Sequence, residues 1–544
     1  MELRARVCAA LIALLLSALL CLGTPPAAGA QELKLPSSQN EPPRSFERSA
    51  AEVKRIAARA EKVRAERGLR PSAYTRGAGR WQVSFFRDGK EVVQVHVDDR
   101  SGRILEQWSG DQVAWRMARG YPGAFGRKLN APYVWIPLCL LFLLPFLDFR
   151  RPLRLLHLDL LVLLGFGASH VFFNRGEIDI SVPLVYPMLL YLLARVLLAG
   201  FRPRERTGRL VPHLPVSWLA VGLVFLVAFR IGLNVVDSNV IDVGYAGVIG
   251  ADRIVDGDEL YGKGFSDDVE KGDTYGPVNY LLYVPFEQTL PWSGAWDDLP
   301  AAHGAAIAFD LAAIGGLLLL GRSLRPGREG AMLGVALAYA WAAFPYTAFV
   351  LETNSNDTLV ALACIGALLG FVWRSALMAG VAVALGAASK FATLALAPLF
   401  ARRSPFVFAA SLGITLLLVV APFVPDGGLR EMYDRTVGYQ AGRGSPFSVW
   451  GQVDSLGWLH TVVKAAAVGL ALLVSAVPRR VDERQVAALG AAVLIALQLT
   501  ATHWFYLYIV WFLPFVLVAV FGAYGDRPAQ MHARESRPVS AVPA

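Results

Sequence analysis

Residues 376–401 read ALMAGVAVALGAASKFATLALAPLFA, an apolar run with a lysine, Lys390, at its middle. Arg374 precedes the run, and Arg402 and Arg403 follow it. Arginines collect on the cytoplasmic side of a membrane, so both ends of the run are predicted to lie on that side. Some 25 residues extend about 37 Å as a helix, too little for two crossings of a core about 30 Å thick. We therefore predict a broken or re-entrant pair of half-helices, whose backbone must be shielded by protein or line a cavity.

The composition of the whole chain is that of a membrane protein. Of its 544 residues, 55% are hydrophobic and only 17% are charged, whereas soluble proteins carry about 25% charged residues. This composition excludes a soluble enzyme. We predict a polytopic α-helical membrane protein with about 11 spans in addition to the broken segment. The spans are expected near residues 133–149, 155–173, 180–200, 214–235, 301–320, 330–350, 357–373, 405–424, 456–478, 484–502 and 505–524.

The distribution of arginine predicts the orientation of the chain. A formal net charge of +9 could indicate a nucleic-acid-binding protein, but excess arginine in cytoplasmic loops is normal for membrane proteins. The arginine-rich loops and the tail 525–544 are predicted to be cytoplasmic, whereas the acidic loop 236–300 and the loop 425–455 are predicted to face outward. The expected partner is the lipid bilayer, with no nucleic acid, and the expected location is a bacterial plasma membrane. The arginine-rich loops are 150–154, 202–209, 322–328 and 479–484.

The first 130 residues have the features of an exported domain. A charged start, an apolar run and small residues before the end of the segment predict a signal peptide over residues 1–30. The polar region 31–130 is predicted to be a small α+β domain with a charged helix over 46–69, which Pro71 ends. Residues 91–105 resemble the PepSY module. Three antiparallel strands are expected near residues 81–85, 92–97 and 103–108.

Three basic side chains within apolar runs are candidates for function. A lysine at the centre of such a run costs about 3 kcal/mol to insert, so Lys390 is predicted to be a functional cation that faces a phosphate. The alternative is a lysine that extends to the interface. Arg230 and Lys464 lie nearer the outer ends of their spans, and we expect this snorkelling conformation for both.

The first outer loop supplies the candidate base. Asp237 and Asp242 leave the membrane within a few residues of an apolar run, where a carboxylate can be partly desolvated and poised as a base. The triplet 256–258 matches the D-x-D motif that binds a metal in nucleotide-sugar transferases. In a loop this acidic, chance is the preferred explanation, and no metal site is predicted.

Other outer segments place polar and aromatic side chains near the membrane surface. The turn 352–357 is either a hydrated turn or a sugar-binding element. Arg443 lies among glycines beside aromatic residues, and His503 lies at the outer end between the last two spans. A phosphate-binding G-x-x-x-x-G-K-[ST] loop and the H-E-x-x-H motif of zinc proteases are absent from the sequence.

Four of these motifs occur in an order that resembles a known superfamily. They are Asp242-Val243-Gly244-Tyr245, Tyr275-Gly276-Pro277, the turn 354–357 and Gly386-Ala387-Ala388-Ser389-Lys390. The chain resembles the GT-C polytopic glycosyltransferases, in particular the DUF2029 branch, which includes bacterial polyprenol-phosphate-mannose-dependent α-mannosyltransferases. The resemblance covers about residues 211–524, so three additional transmembrane helices at 131–210 precede this core.

The resemblance implies roles for particular residues. In such enzymes an aspartate of the first outer loop acts as the base on the acceptor hydroxyl, and the sugar leaves a polyprenyl phosphate with inversion. Asp242 would then be the base, with Asp237 as its nearest rival, and Lys390 would contact the donor phosphate. Arg443 is predicted as a second phosphate contact. The predicted substrate contacts are Tyr245, Tyr275, Asn354, Asn356, Asp357 and His503.

We therefore expect an integral-membrane glycosyltransferase that acts at the outer face. It would move a mannose-like sugar from a polyprenyl-phosphate donor to a cell-envelope glycan or glycolipid acceptor, and no cofactor is expected. The alternative is a transporter or lipid flippase of envelope precursors, because a broken helix with a buried charge also marks transporters. Those folds usually contain two related halves, and the sequence of the 376–401 break is not repeated. A sensor function would account for the N-terminal domain only.

Overall fold

The computed structural model describes residues 33–77, 79–120, 125–204, 206, 208–262, 265, 269, 271–297 and 299–525. The predicted signal peptide and all of the tail beyond Gly525 lie outside the described residues. The described chain forms two compact units. One lies within residues 25–124 and 168–182, and the other lies within 125–167 and 183–544.

The N-terminal unit contains a five-stranded antiparallel sheet in the order β1-β2-β3-β4-β5. Helices α1 and α2 precede β2, and α3 follows β5. The alternating residues Trp81, Val83 and Phe85 of β3 point with their β4 partners into a core that α1 covers. The elements are β1 (Leu33–Lys34), α1 (Ala50–Ala57), α2 (Glu61–Arg64), β2 (Arg70–Arg76), β3 (Arg80–Arg87), β4 (Lys90–Asp98), β5 (Ile104–Ser109) and α3 (Asp111–Ala114).

This unit differs from the prediction in three details, the first of which is that its sheet has five strands where three are expected. The helix over 46–69 is interrupted into α1 and α2, and Pro71 lies within strand β2. The short β1 pairs only with Thr75 and Arg76 at the far end of β2. Pro71 therefore lies where its missing N–H costs no ladder bond on that side. The predicted small α+β domain is present, and its export and its PepSY identity stay predictions.

The second part of the chain is helical, and its apolar helices are those of a polytopic membrane protein. Its helices are α4 (Pro132–Leu143), α5 (Leu155–Asn174), α6 (Ile178–Phe201), α7 (Val216–Asp237), α8 (Asp242–Asp256), α9 (Pro277–Leu281), α10 (Val284–Glu287), α11 (Pro300–Leu324), α12 (Gly327–Ala343), α13 (Pro345–Glu352), α14 (Thr358–Val372), α15 (Ala376–Ala387), α16 (Ala397–Phe400), α17 (Pro405–Val420), α18 (Gly428–Tyr433), α19 (Tyr439–Gly442), α20 (Val449–Gln452), α21 (Gly457–Leu473), α22 (Glu483–Leu499) and α23 (Ile509–Phe521).

Fewer helices are full-length spans than the hydropathy pattern predicted. Among the described residues, six helices are long and apolar enough to cross a membrane, or seven if the bent pair α12 and α13 counts as one. The runs near 133–149, 357–373, 484–502 and 505–524 form helices of 12, 15, 17 and 13 residues. These are shorter than the roughly 20 residues that a straight crossing needs. The eleven spans therefore stay a prediction.

The run near 330–350 was predicted as one span, but it bends by 59° between α12 and α13. Phe344 is extended and Pro345 begins the next helix, so the hydrogen-bond ladder stops there. Arg230 of α7 donates from Nη1 to the freed carbonyl of Ala342 at 3.0 Å. Its Nη2 lies 2.6 Å from Oδ1 of Asp310 on α11. A broken helix at membrane depth is stable only when neighbours satisfy its backbone in this way.

The snorkelling conformation expected for Arg230 is therefore wrong. Arg230 is only 1% exposed. Its guanidinium can be buried because carbonyl and carboxylate oxygens inside the helix bundle accept its hydrogen bonds. Lys464, for which the same snorkelling conformation is expected, is exposed on the surface of α21. The two cations had the same sequence signal and differ only in the partners that packing provides.

The segment 376–401 is interrupted at its middle. Helix α15 ends at Ala387, and a 3₁₀ helix over Phe391–Leu396 leads into α16. Lys390 is extended and lies between the two halves. This interruption places the lysine at a point where the backbone leaves the helix.

We expect Arg230→Met to destabilise the protein by about 3–5 kcal/mol, because it leaves the buried Asp310 carboxylate without its cation. Thermal unfolding of the full-length protein in detergent measures this effect. Lys464→Met is the matched control, since it removes an exposed cation from an apolar helix and is expected to leave the melting temperature unchanged. Equal melting temperatures for the two variants would contradict the role assigned to Arg230.

Candidate active site

A buried ion pair joins two of the sequence motifs. The Lys390 Nζ atom lies 2.6 Å from Oδ1 of Asp357, and the residues are 8% and 1% exposed. Asp357 ends the polar turn that follows α13 and immediately precedes α14. The pair therefore fixes this turn against the interruption between α15 and the 3₁₀ helix.

The Asp357 carboxylate also accepts hydrogen bonds from two other side chains. Trp511 of α23 donates from Nε1 to Oδ1 at 2.8 Å, and the Ser355 hydroxyl donates to Oδ2. Three aromatic rings surround the Lys390 ammonium, with centroids 5.3 Å away for Tyr275, 5.9 Å for Tyr508 and 5.6 Å for Trp511. Such rings stabilise a cation through their negative faces.

The Tyr275 segment reaches this pair through the backbone. The Gly276 N–H donates to the Ser389 carbonyl at 3.2 Å, and the Val278 N–H donates to the Ala388 carbonyl at 3.0 Å. A Cβ atom on Gly276 would lie 2.0 Å from the Ala388 carbonyl oxygen. Only glycine allows this approach, so the Tyr275-Gly276-Pro277 motif holds the Tyr275 ring beside Lys390.

The segment that precedes α8 holds Asp242 beside the polar turn 352–357. The Asn239 N–H donates to the Glu352 carbonyl at 3.1 Å, and the Ile241 N–H donates to the Thr353 carbonyl at 3.2 Å. These bonds tie the chain before α8 to the end of α13. Asp242 is the first residue of α8, and its Oδ1 accepts the Val243 N–H at 2.9 Å.

A glycine face on α8 allows the helix to lie close to its neighbours. A Cβ atom on Gly244 would lie 2.5 Å from the Asn354 carbonyl oxygen, and one on Gly250 would lie 2.1 Å from the Tyr280 ring. Gly247 packs in the same way against Tyr283. Residues three apart share one face of a helix, so this face seats α8 and fixes Asp242 at its start.

Asp242 is accessible to water although protein surrounds it, and we call the space beside its carboxylate the cleft. Asp242 is exposed to water. The surrounding protein still removes enough hydration to raise the pKa of its carboxyl above the ordinary value. Arg443 and, more weakly, Lys390 act in the opposite direction on this pKa. Asp242 has both properties because water reaches its carboxyl on one side, while protein takes the place of water on the others and disfavours the charged form.

Asp237 lies outside this group. It is the last residue of α7, and its carboxylate is 3.5 Å from Lys128 Nζ and 4.0 Å from an Arg127 nitrogen. Residues 238–241 separate α7 from α8, so the two aspartates do not lie on one helix. Asp237 is therefore paired with Lys128 and Arg127 and takes no part in the group around Lys390.

The loop that contains Arg443 is fastened to the segment between α8 and α9. Arg435 donates from Nη2 to the Gly262 carbonyl at 2.6 Å and lies 3.4 Å from Asp273 Oδ2. Gln440 donates from Nε2 to the Thr274 hydroxyl at 3.3 Å. These contacts carry Arg443 to a position from which it acts on the Asp242 carboxyl.

His503 is held near the same loop. Its Nδ1 lies 2.8 Å from the Ser445 hydroxyl, and its ring packs edge-on against Phe447 at 5.4 Å. Burial lowers the pKa of the imidazole to about 3, and Arg443 contributes to this shift. The ring is therefore neutral near pH 7 and offers a hydrogen bond rather than a charge.

Three other predicted substrate contacts are buried within the protein. The Asn354 amide accepts a hydrogen bond from Asn234 Nδ2 at 2.9 Å and donates one to the Ser238 hydroxyl at 3.1 Å. Asn356 donates from Nδ2 to the Asn279 side chain at 2.5 Å. Tyr245 is 1% exposed and packs against Trp296 at 4.7 Å. The two amides build the turn, Tyr245 belongs to the core, and their sugar contacts stay predictions.

Sequence reasoning missed two members of the site, Tyr508 and Trp511. Both lie in an apolar aromatic run that resembles many interfacial segments, so residue type alone did not distinguish them.

The D-x-D triplet has a structural explanation, because Gly257 ends α8 in the left-handed conformation with φ +76°. Within the described residues, no three His, Cys, Asp or Glu side chains are arranged to hold a metal ion.

Comparison with known proteins identifies the class of enzyme. Residues 274–521 match the model of Glycosyltransferase family 87. The chain is a glycosyltransferase. The matched range of this glycosyltransferase contains Tyr275, Asp357, Lys390, Arg443 and His503, and Asp242 precedes it. No curated protein matches the chain.

We expect Lys390→Met to destabilise the glycosyltransferase by about 3–5 kcal/mol, because it leaves the buried Asp357 carboxylate unpaired. Adding Asp357→Asn should recover much of this loss, since the amide oxygen still accepts from Trp511 and carries no charge. Thermal unfolding of both variants in detergent measures the difference. A double variant that is less stable than Lys390→Met would contradict the ion pair as the main contact.

Proposed function

We propose that this glycosyltransferase transfers a mannose-like sugar from a polyprenyl phosphate to an envelope glycan or glycolipid at the outer face of the membrane. The observation that carries the proposal is the meeting of a water-accessible carboxylate, Asp242, with the cations Lys390 and Arg443 around one cleft. Transfer from a sugar phosphate needs a base on the acceptor side and positive charge on the leaving-group side. Both requirements are met by side chains from separate motifs.

In the proposed reaction, Asp242 accepts the proton of the acceptor hydroxyl. The hydroxyl oxygen forms a bond to the anomeric carbon while the bond from that carbon to the phosphate oxygen breaks. The leaving group is the polyprenyl phosphate, and attack from the opposite side inverts the anomeric configuration. A carboxyl whose pKa is raised by loss of hydration is a stronger base than an ordinary aspartate, which favours this role.

Asp357 is less suited to the role of base. Its oxygens accept from Lys390, Trp511 and Ser355, and the residue is 1% exposed. A carboxylate engaged by three donors has little remaining capacity for an acceptor proton. We propose that Asp357 instead orients Lys390.

The phosphate is proposed to bind between Lys390 and Arg443. Asp357 holds one side of the Lys390 ammonium, and an ammonium group has three donors, so others can turn toward an anion. Arg443 supplies a planar group that can contact two phosphate oxygens. In a cleft with reduced hydration, these cations stabilise the charge that develops on the departing phosphate.

The sugar is proposed to lie between the phosphate site and Asp242. Tyr275 and Tyr508 flank Lys390 and are partly exposed, so each can present a ring face or a hydroxyl to a sugar. Neutral His503 offers a further hydrogen bond. The transporter alternative gains no support from the comparisons, whereas the family match supports sugar transfer.

We expect Asp242→Asn to lower kcat by at least about 100-fold, because an amide cannot accept the acceptor's proton. The assay uses purified protein in lipid nanodiscs, polyprenyl phosphate carrying radiolabelled mannose, and a bacterial envelope lipid extract as acceptor. Asp237→Asn is the matched control and should retain most activity, since Asp237 pairs with Lys128 away from the cleft. If Asp237→Asn abolishes transfer and Asp242→Asn remains active, the base is misassigned.

The pH dependence of kcat provides a second test. Asp242 must be ionised, so activity is present above its pKa and is lost as the pH falls through it. Arg443 lowers this pKa, so Arg443→Gln should move the acid limb of the kcat profile to higher pH. Loss of phosphate contact should appear separately as a higher KM. Arg430→Gln changes an exposed arginine of the same outer region and should leave the profile in place; an unmoved limb in Arg443→Gln contradicts the coupling.

A further inference from the structure

A cavity of about 780 Å³ lies at the arginine-rich ends of α7 and α12. One wall is formed by residues 209–217, which lead into α7, and another by residues 328–336 of α12. Tyr524 and Gly525 close a third side. The cavity is at the opposite ends of these helices from the Asp242 and Phe344 regions, and the proposed transfer reaction does not use it.

The charges that line the cavity favour an anion. Arg209 comes from the segment before α7, Arg325 from the loop before α12 and Arg328 from the first turn of α12, and all three line the cavity. Glu329 is the carboxylate among the described lining residues. Arg325 donates from Nη2 to the Gly522 carbonyl at 2.8 Å, which anchors it at the rim. Guanidinium groups from separate segments that line one space are suited to a phosphate, because each can bind two oxygens.

The cavity also has an apolar wall, which a site for a small soluble anion would not need. This wall includes Leu214 from the segment before α7 and Met332, Val335 and Ala336 from α12. The helix rises about 13 Å from Gly327 to Ala336 at 1.5 Å per residue. The cavity therefore continues from the charged end along a helix that enters the membrane, to a depth that upper acyl chains occupy.

We propose that this cavity binds an anionic phospholipid of the surrounding leaflet. The phosphate lies against Arg209 and Arg328, and an acyl chain lies along Met332 and Val335 of α12. Basic pockets between transmembrane helices on the positively charged side of a protein are suited to such headgroups. Both α7 and α12 begin at the cavity, and the positive ends of their dipoles add to the attraction. The bound lipid joins the inner ends of the two helices that are linked near their outer ends through Arg230.

Native mass spectrometry of the purified full-length protein in detergent tests this site with phosphatidylglycerol as the probe. Phosphatidylcholine is the zwitterionic control lipid, and inorganic phosphate and glycerol 3-phosphate are the soluble competitors. Arg209→Gln with Arg328→Gln removes two cations and leaves the anchored Arg325 in place. Met332→Trp fills the apolar wall without changing charge. Arg322→Gln removes a nearby exposed arginine that does not line the cavity.

We expect phosphatidylglycerol to bind more tightly than phosphatidylcholine. The double arginine variant should weaken it by about 10-fold or more, since each basic residue near an anionic headgroup contributes several-fold. Met332→Trp should weaken it as well, and Arg322→Gln should leave it unchanged. Soluble phosphates at millimolar concentration should not displace the lipid.

Three results would overturn the proposal. Equal binding by the wild type, the double variant and Met332→Trp would show that the cavity takes no lipid. An effect of Arg322→Gln as large as that of the double variant would show diffuse attraction to surface charge. Displacement by inorganic phosphate, or weakening by the arginine changes alone, would indicate a soluble-anion site. If the double variant does not fold, the comparison of Met332→Trp with the wild type decides the matter.

Discussion

The ion pair between Lys390 and Asp357 is the contact on which the site depends. Removing two charges from water is expensive, and the 2.6 Å pair is stable only because further donors and rings surround it. Trp511 connects the pair to α23, and Tyr275 connects it to the segment that precedes α9. One buried carboxylate therefore sets the relative positions of four chain segments that are distant in sequence, and the cleft beside Asp242 lies among them.

Two interruptions in the described helices each have a buried cation beside them. Arg230 satisfies the carbonyls that Pro345 frees between α12 and α13, and Lys390 lies where α15 ends. In a membrane, an unsatisfied backbone group costs several kcal/mol, so an interruption needs polar partners from neighbouring helices. The interruption at Lys390 takes this lysine out of the helix and places it beside the buried Asp357 carboxylate, which a continuous helix would not do.

The electrostatic balance of the cleft is suited to glycosyl transfer. Loss of hydration raises the pKa of Asp242, whereas Arg443 limits that rise, so the carboxylate can be ionised and still be a competent base. In the proposed reaction, the same cation contacts the phosphate of a lipid-linked donor. Charged groups of both signs in one partly dehydrated cleft attract a polar sugar phosphate and stabilise the charge that moves during the reaction.

The sequence by itself determined the membrane class, the small sheet domain, the broken segment at Lys390 and the pair of candidate bases, because hydropathy and the cost of burying a charge are properties of residue type. Only the tertiary structure decided which partner each charge has. Arg230 and Lys464 carried the same signal, yet one is buried against Asp310 and the other is exposed. Trp511 reaches Asp357 across 154 positions, and no local pattern encodes such a contact. Asp237 and Asp242 were likewise separated by packing, which gave one of them to Lys128 and the other to the cleft.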